Sequence, residues 1–372
     1  MESDNKLFLL DAYALIYRAY YAFIKNPRIN SKGFNTSAIL GFVNTLEEVL
    51  KKENPSHIGV AFDPSGPTFR HEAFEQYKAQ REETPEAIRL SVPIIKDIIH
   101  AYRIPILEVA GYEADDVIGT LATEAGRQGI TTYMMTPDKD YGQLVTDNVF
   151  MYRPKHTGGF EVMGIEEVKA KFDIQSPTQV IDMLGLMGDA SDNIPGCPGV
   201  GEKTAQKLIA EFGSIENLLE HTDQLKGALK TKVETNKELI TFSKFLATIK
   251  IDVPIQLEMD KLVREQADED SLRQIFEELE FRTLIDRVLK KENSAGGVTM
   301  ATGSKTATAK SAPSPLPLFP EEGGAIQGDL FANFTGNEAG EAKKSNLETL
   351  ETLNCDYQLI DTEKKRAEII QK

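Results

Sequence analysis

Residues 6–11 read Lys-Leu-Phe-Leu-Leu-Asp, an apolar run that ends on a carboxylate. A short run with apolar residues at consecutive positions reads as a strand buried on both faces, the pattern of a parallel sheet. The construction recurs at His57 to Asp63 (HIGVAFD), Ile104 to Val109 (IPILEV) and Ile130 to Asp138 (ITTYMMTPD). Between these runs lie helical spacings, one through Ile39, Phe42, Val43, Leu46, Val49 and Leu50, another through Ala114, Val117, Ile118, Leu121 and Ala125. Such alternation builds an α/β layered domain with a mostly parallel central sheet. In open sheets of this kind the ligand crevice lies outside the carboxyl ends of the strands.

From Ser176 the pattern turns helical, with Ser176-Pro177 as cap and first helical residue. The reading divides the chain into an α/β domain over 1–175, a helical subdomain over 176–290, a flexible linker over 291–345 rich in Gly, Ala, Ser, Thr and Pro, and a short apolar stretch over 346–372 that looks like the truncated start of a further domain. With 41% hydrophobic and 27% charged residues, the 372-residue chain has the balance of a soluble globular protein. Its cysteines, Cys197 and Cys355, form no metal-ligand spacing and no disulfide framework, which fits a reducing cytoplasm. Asp11 and Arg18 interrupt the first apolar stretch, so neither a signal peptide nor a membrane span is expected. The net charge of −16 taken alone argues against a nucleic-acid partner. It loses that force because many of the acids collect at one candidate site and in the tail.

Asp11 and Asp63 close the first two strand runs. Glu113, Asp115 and Asp116 open a helix after the third, in GYEADD; Asp138 and Asp140 follow the fourth, in TPDKD; Asp189 and Asp192 stand in GDASDN at a helix end. Any one of these is adequately explained as a cap or turn residue. The set is not, because carboxylates facing one crevice repel one another unless cations lie between them. Oxygen ligands select hard divalent cations, and no His or Cys cluster competes for a softer one. Two such ions about 3.5–4 Å apart activate water and stabilise both oxygens of an in-line phosphodiester displacement.

The ordered strings LLDAYALIYRAYYA, VAFDPSGPTFRHEAFEQYKAQR, GYEADDVIGTLA, TPDKDYGQLV and GLMGDASDNIPGCPGVGEKTAQKLI resemble the successive motifs of the flap-endonuclease superfamily, most closely its bacterial 5′-nuclease branch, over roughly Lys6 to Leu289. The resemblance implies a PIN-like 5′-nuclease domain with a helical arch over about 68–103, followed by a helical DNA-binding subdomain with a helix–hairpin–helix-type motif over about 185–220. It implies 5′–3′ exonuclease and flap-endonuclease activity in primer and flap removal, with two or more magnesium ions for which manganese can substitute. Asp11, Asp63, Glu113, Asp115 and Asp116 would serve the first metal, and Asp138, Asp140, Asp189 and Asp192 the second. In the arch, Lys78 and Arg81 would approach the scissile phosphate as catalytic cations, with Tyr77 stacking on a base and Arg70 among the basic residues that meet DNA. Arg18 and Tyr20 are further DNA-binding candidates.

Gly196 to Ile209 (GCPGVGEKTAQKLI) lacks the spacing of a nucleotide-binding P-loop. As the family's hairpin, its amides at Gly199 and Gly201 would hold a duplex phosphate with a potassium ion, and Lys203 and Lys207 would add charge. In the linker, Gln327, Leu330 and Phe331 (QGDLF) are similar to a sliding-clamp docking peptide. The partners expected are DNA with 5′ flaps, nicks or RNA primers and the clamp, for a monomeric, cytoplasmic, nucleoid-associated chain without membrane contact. A PIN-type ribonuclease would lack the arch and hairpin segments. A haloacid-dehalogenase phosphatase would want a second acid after Asp11, where Ala12-Tyr13 stands. A DNA-binding module with a decayed site would have lost ligands, and every ligand position here is acidic.

Overall fold

The computed structural model describes residues 5–155 and 159–289, which belong to one compact unit. The linker, the 346–372 stretch and the Gln327, Leu330 and Phe331 motif lie outside the described residues. The α/β domain begins with β1 (Lys6–Asp11), α1 (Ala12–Ala22), α2 (Ser37–Lys52), β2 (His57–Ala61), α3 (Phe69–Ala73), α4 (Glu86–Ala101), β3 (Ile106–Leu107), α5 (Ala114–Arg127) and β4 (Thr131–Met135). After a 3-10 turn at Lys139–Leu144 come β5 (Val149–Pro154), β6 (Phe160–Met163) and α6 (Ile165–Phe172). The remaining helices are α7 (Gln179–Met187), α8 (Glu202–Phe212), α9 (Ile215–Glu220), α10 (Gly227–Thr235), α11 (Lys237–Ala247), α12 (Met259–Leu262), α13 (Glu269–Glu278) and α14 (Arg282–Leu289).

The sheet order is β3-β2-β1-β4-β5-β6, parallel except for the antiparallel β5–β6 pair. The strand runs read from the sequence are all present, although β2 stops at Ala61 and β4 at Met135, which puts Asp63 and Asp138 on the loops that follow. Two strands escaped the sequence reading. Val149–Pro154 carries Arg153 and ends on proline, and Phe160–Met163 is too short and exposed to show a pattern.

The alternation of side chains along β1 divides the core. Leu7 and Leu9 face α5 and the helices that follow the sheet, whereas Phe8 and Leu10 face α1, α2 and α4. The helical region read as 176–290 is shared between these two faces. Helices α7, α8, α9 and α11 contribute to the Leu7–Leu9 side, while Leu272, Phe276, Leu279, Phe281 and Leu284 of the α13–α14 pair pack with α2 and α4. The arch stretch read as helical over 68–103 is helical only at α3 and α4; residues 74–85 between them are turns and irregular backbone.

Because Phe276 is fully buried in the core on the α1, α2 and α4 side of the sheet, Phe276→Ala is expected to destabilise the whole α/β domain by about 3–5 kcal/mol. Denaturant unfolding followed on tyrosines of the sheet checks this. A loss below about 1 kcal/mol would show that α13 is an appendage.

A candidate metal and nucleic-acid site

Asp11 sits where β1 passes into α1. Its Oδ1 accepts the Ala14 amide at 3.1 Å and so caps the helix, while its Oδ2 accepts the Thr136 hydroxyl at 3.3 Å and the Tyr141 hydroxyl at 3.1 Å. The capping explanation of this acid therefore holds. β2 and β4 flank β1, so the loops carrying Asp63 and Asp138 open beside it, at the point where the strand order reverses. Asp63 accepts the Ala114 amide at 2.8 Å, which fixes the start of α5 against the β2 loop. Asp138 accepts the Asp140 amide at 3.0 Å, turning the chain into the 3-10 segment. Asp189 holds Ser191 through Oδ1 and pairs with Lys139 at 3.0 Å through Oδ2.

The acids divide into two electrostatic groups. On one side, burial would raise Glu113 and Asp192, but nearby cations outweigh it and hold both below their ordinary values; those cations are Lys78 and Arg70 for Glu113, and Lys78 and Arg81 for Asp192. Lys78 Nζ lies 2.5 Å from Glu113 and 3.6 Å from Asp192, and Arg81 lies 2.5 Å from Asp192. On the other side burial and repulsion outweigh the nearby cations. Burial, then Asp63 and Asp138, push Asp11 up to about 7. Burial raises Asp63, Asp115, Asp138 and Asp140 as well, with repulsion from Asp116 acting on Asp115 and from Asp138 on Asp140. Asp140 Oδ1 is buried with no hydrogen-bond donor on it. An all-oxygen set with an orphaned buried carboxylate oxygen fits a hard divalent cation, and ligand atoms of Glu113, Asp115 and Asp116 lie within 4.8 Å of one another. Of these three, Asp116 is the least available: both its oxygens already accept protein N–H groups, from Arg70, Glu113 and Lys250.

Residues 76–81 lie against the loop that carries Asp189 and Asp192. The Lys78 amide donates to the Asp192 carbonyl at 3.0 Å, Gln80 to the Ala190 carbonyl at 2.6 Å, Arg81 Nε to the Ser191 carbonyl at 3.1 Å, and Asn193 to the Gln76 carbonyl at 2.7 Å. Lys78 takes a left-handed backbone, φ +56°, to make this turn. Two residues expected to meet DNA lie in the interior. Tyr77 is 3% exposed, its hydroxyl oxygen lying 3.0 Å from a carboxylate oxygen of Glu113 and 3.0 Å from one of Asp192, either of which can take its one proton, so its ring lies in the interior. Arg70 is 1% exposed and holds carboxylates and carbonyls, so it is no surface DNA contact. Arg18 and Tyr20 remain half-buried on α1, Arg18 donating to the Lys155 carbonyl at 3.3 Å and Tyr20 edge-on to Tyr21. Thr136, Lys139 and Tyr141 escaped the sequence reading. The signal was present, since all three stand inside the TPDKDYGQLV string between and beside its acids.

The glycine-rich segment joins α7 to α8 as a hairpin. Gly196 has φ +61°, and a Cβ there would lie 2.3 Å from the Gly188 amide nitrogen, so only glycine lets the two strands of the hairpin close. Gly201 precedes the first turn of α8 with open space around it, and Lys203 and Lys207 are exposed on that helix. The first amides of a helix lack internal acceptors and favour an anion. Lys232 of α10 reaches the hairpin, its Nζ 3.2 Å from the Gly199 carbonyl.

Comparison with known proteins agrees with this geometry. The profile of the 5′–3′ exonuclease N-terminal resolvase-like domain matches residues 6–173, and that of the 5′–3′ exonuclease C-terminal SAM fold matches residues 175–270. DNA polymerase I of Bacillus subtilis is 43% identical over 77% of this chain and 33% of its own length; that of Bacillus caldotenax is 40% identical over 76% and 32%. The chain thus spans about a third of the length of these curated relatives. Among solved structures, a zinc-bound T5 5′-exonuclease superposes with a TM-score of 0.56 at 22% identity, covering 73% of this chain and 98% of that one. The Rad2 catalytic core bound to a DNA substrate gives 0.51 at 18%, covering 74% and 88%; at these identities the likeness is one of fold. With both domains matched in order, the chain belongs to the 5′–3′ exonuclease family.

Proposed function

We propose that the chain is a magnesium-dependent 5′–3′ exodeoxyribonuclease and flap endonuclease, the nuclease portion of a DNA polymerase I that removes primers and displaced flaps. The observation that carries this reading is the cluster of buried carboxylates at the sheet's switch point, raised at Asp11 and Asp140 and neutralised at Glu113 and Asp192 by Lys78 and Arg81 from the segment between α3 and α4. The matched DNA polymerase I relatives and the DNA-bound Rad2 neighbour support a DNA substrate.

Asp11, Asp63, Glu113, Asp115, Asp138, Asp140, Asp189 and Asp192 would hold the magnesium ions, with manganese able to replace them; when bound, the ions supply an activated water and charge stabilisation at the scissile phosphate. The chain's own residues do the rest. Thr136 and Tyr141 fix the second oxygen of Asp11, so that this carboxylate presents one geometry. Lys78 and Arg81 supply positive charge where the phosphate becomes more negative in the transition state. Lys203, Lys207 and the α8 amides take the duplex backbone without regard to sequence, with potassium at the hairpin. The products would be a 5′-phosphate and a 3′-hydroxyl. No described helix is long and apolar enough to cross a membrane, and we take the chain as a monomer of the cytoplasm, associated with the nucleoid. Gln327, Leu330 and Phe331 would dock the sliding clamp, with the linker as tether.

A labelled 5′-flap duplex tests the reading: cutting near the junction with magnesium and none with chelator is expected, and no magnesium-dependent product would end it. In the same assay Lys78→Ala should lower the single-turnover rate about 10²–10³-fold, with flap affinity changed only a few-fold. A steep loss of affinity at unchanged rate would make Lys78 a binding residue.

Removing one of the raised acids should separate stability from function. Asp140→Asn is expected to melt about 2–4 °C above the wild type in chelator, as relief of about 1 kcal/mol does in a chain of this size, and to gain less from added magnesium. A lower melting point in chelator would show that Asp140 is held favourably by the protein alone. At the hairpin, Gly201→Val meets open space and an ordinary backbone conformation, so the fold should lose no more than the cost of a poorer helix cap, about 1 kcal/mol, while the added side chain before the α8 amides should weaken flap binding at least about tenfold. Unaltered affinity across a salt titration would leave the hairpin without a role in binding.

A further inference from the structure

The segment Leu246 to Val253 leaves α11, which packs on α7 of the hairpin motif, and crosses the start of α5. Buried polar side chains of the α/β domain grip its backbone along the way. Arg70 Nε donates to the Leu246 carbonyl at 2.9 Å and Nη2 to the Thr248 carbonyl at 2.8 Å. Gln143 donates to the Ala247 carbonyl at 3.0 Å and accepts the Ile249 amide at 2.9 Å. Asp116 accepts the Lys250 amide at 2.8 Å, and Thr120 accepts the Val253 amide at 3.2 Å. The remaining N–H groups of Arg70 go to Asp116, as a two-pronged pair at 2.8 Å each, and to Glu113 at 2.9 Å. Every donor of the guanidinium is thereby used, and Asp116, with no exposed surface, also accepts the Glu113 amide at 3.1 Å.

We infer that Arg70 and Asp116 are a positioning pair that touches neither DNA nor metal: they lock the strap from the duplex-binding helices onto the amino end of α5 and so set where Glu113 and Asp115 stand. The inference rests on the nuclease reading above. It separates Asp116 from the acids expected to hold metal, because its acceptor positions are filled by nitrogen donors, and it separates Arg70 from the cations that meet phosphate, because it has neither surface nor a spare donor. Seating of the duplex on the hairpin and the geometry of the carboxylates are then joined through one buried ion pair.

Arg70→Lys and Asp116→Asn, made in the full chain, test this. Circular dichroism and a thermal melt establish folding; if Arg70→Lys does not fold, Asp116→Asn, nearly isosteric, carries the test. Flap affinity is measured in chelator across a potassium chloride titration, and magnesium binding without DNA by calorimetry. The expected result is flap affinity within about twofold and an unchanged salt slope, with the magnesium dissociation constant raised about 10–100-fold, as when an outer partner of a ligand is lost. For Arg70→Lys, a salt slope shallower by about one with magnesium binding intact would make Arg70 a phosphate contact and overturn the inference. So would unaltered magnesium binding in either folded variant. A weakening by Asp116→Asn far beyond 100-fold, with Arg70→Lys unaffected, would make Asp116 a ligand. Failure of the wild type to bind magnesium or cut the flap would instead remove the nuclease reading.

Discussion

Mutual repulsion among the carboxylates at the ends of β1, β2 and β4 is the constraint around which this molecule is arranged. The fold brings them together because β1 is the middle of a parallel sheet and the loops after its neighbours open on the same side. Left to themselves the acids would force that edge apart or take up protons. The chain answers mainly on one side. Lys78, Arg81 and Arg70 neutralise Glu113, Asp116 and Asp192, while Asp11, Asp115 and Asp138 are held mainly by packing and donated hydrogen bonds, with Arg70 4.0 Å from Asp115, and Asp140 keeps one buried oxygen without a donor. The imbalance makes this cluster a candidate site, in keeping with the rule that perturbed ionisable groups in a cleft accompany sites of chemistry.

The same charge logic accounts for the seat of the arch. Residues 76–81 join α3 to α4 without regular structure, and what fixes them is the carbonyls of Ala190, Ser191 and Asp192 together with Glu113 and Asp192. Side chains on this turn owe their order to polar contacts, since among them only Tyr77 is buried. Order of this kind is sensitive to ionic strength in a way that the apolar sheet is not.

Much of this was legible in the sequence. The runs at Lys6, His57, Ile104 and Ile130 announce the parallel strands because both faces are buried, and the acids that close or follow them announce the crevice. Residues whose importance comes from tertiary hydrogen bonds were harder to read. Arg70 and Tyr77 stand in a basic, aromatic-bearing stretch, where sequence suggests a nucleic-acid surface. Burial by α5 and by the strap after α11 reverses that meaning, and no local pattern reports it. Tyr141 is silent for a similar reason: its neighbours identify the acids, but only the approach of β1 makes its hydroxyl a support for Asp11. The packing of α13 on α4 was equally hidden, because helical periodicity shows which face is apolar and not which element it will meet.

Asp11 has a consequence for how such a chain can change over evolutionary time. One of its oxygens starts α1 and the other is clasped by Thr136 and Tyr141. Asparagine or serine could still begin the helix, since both are good caps, but neither would carry the charge. An apolar residue would lose the cap as well as the charge. A lineage that no longer needed the chemistry would therefore drift first to a neutral capping residue at this position, and its fold would outlast its activity. The trace of lost function would be a polar substitution that looks harmless.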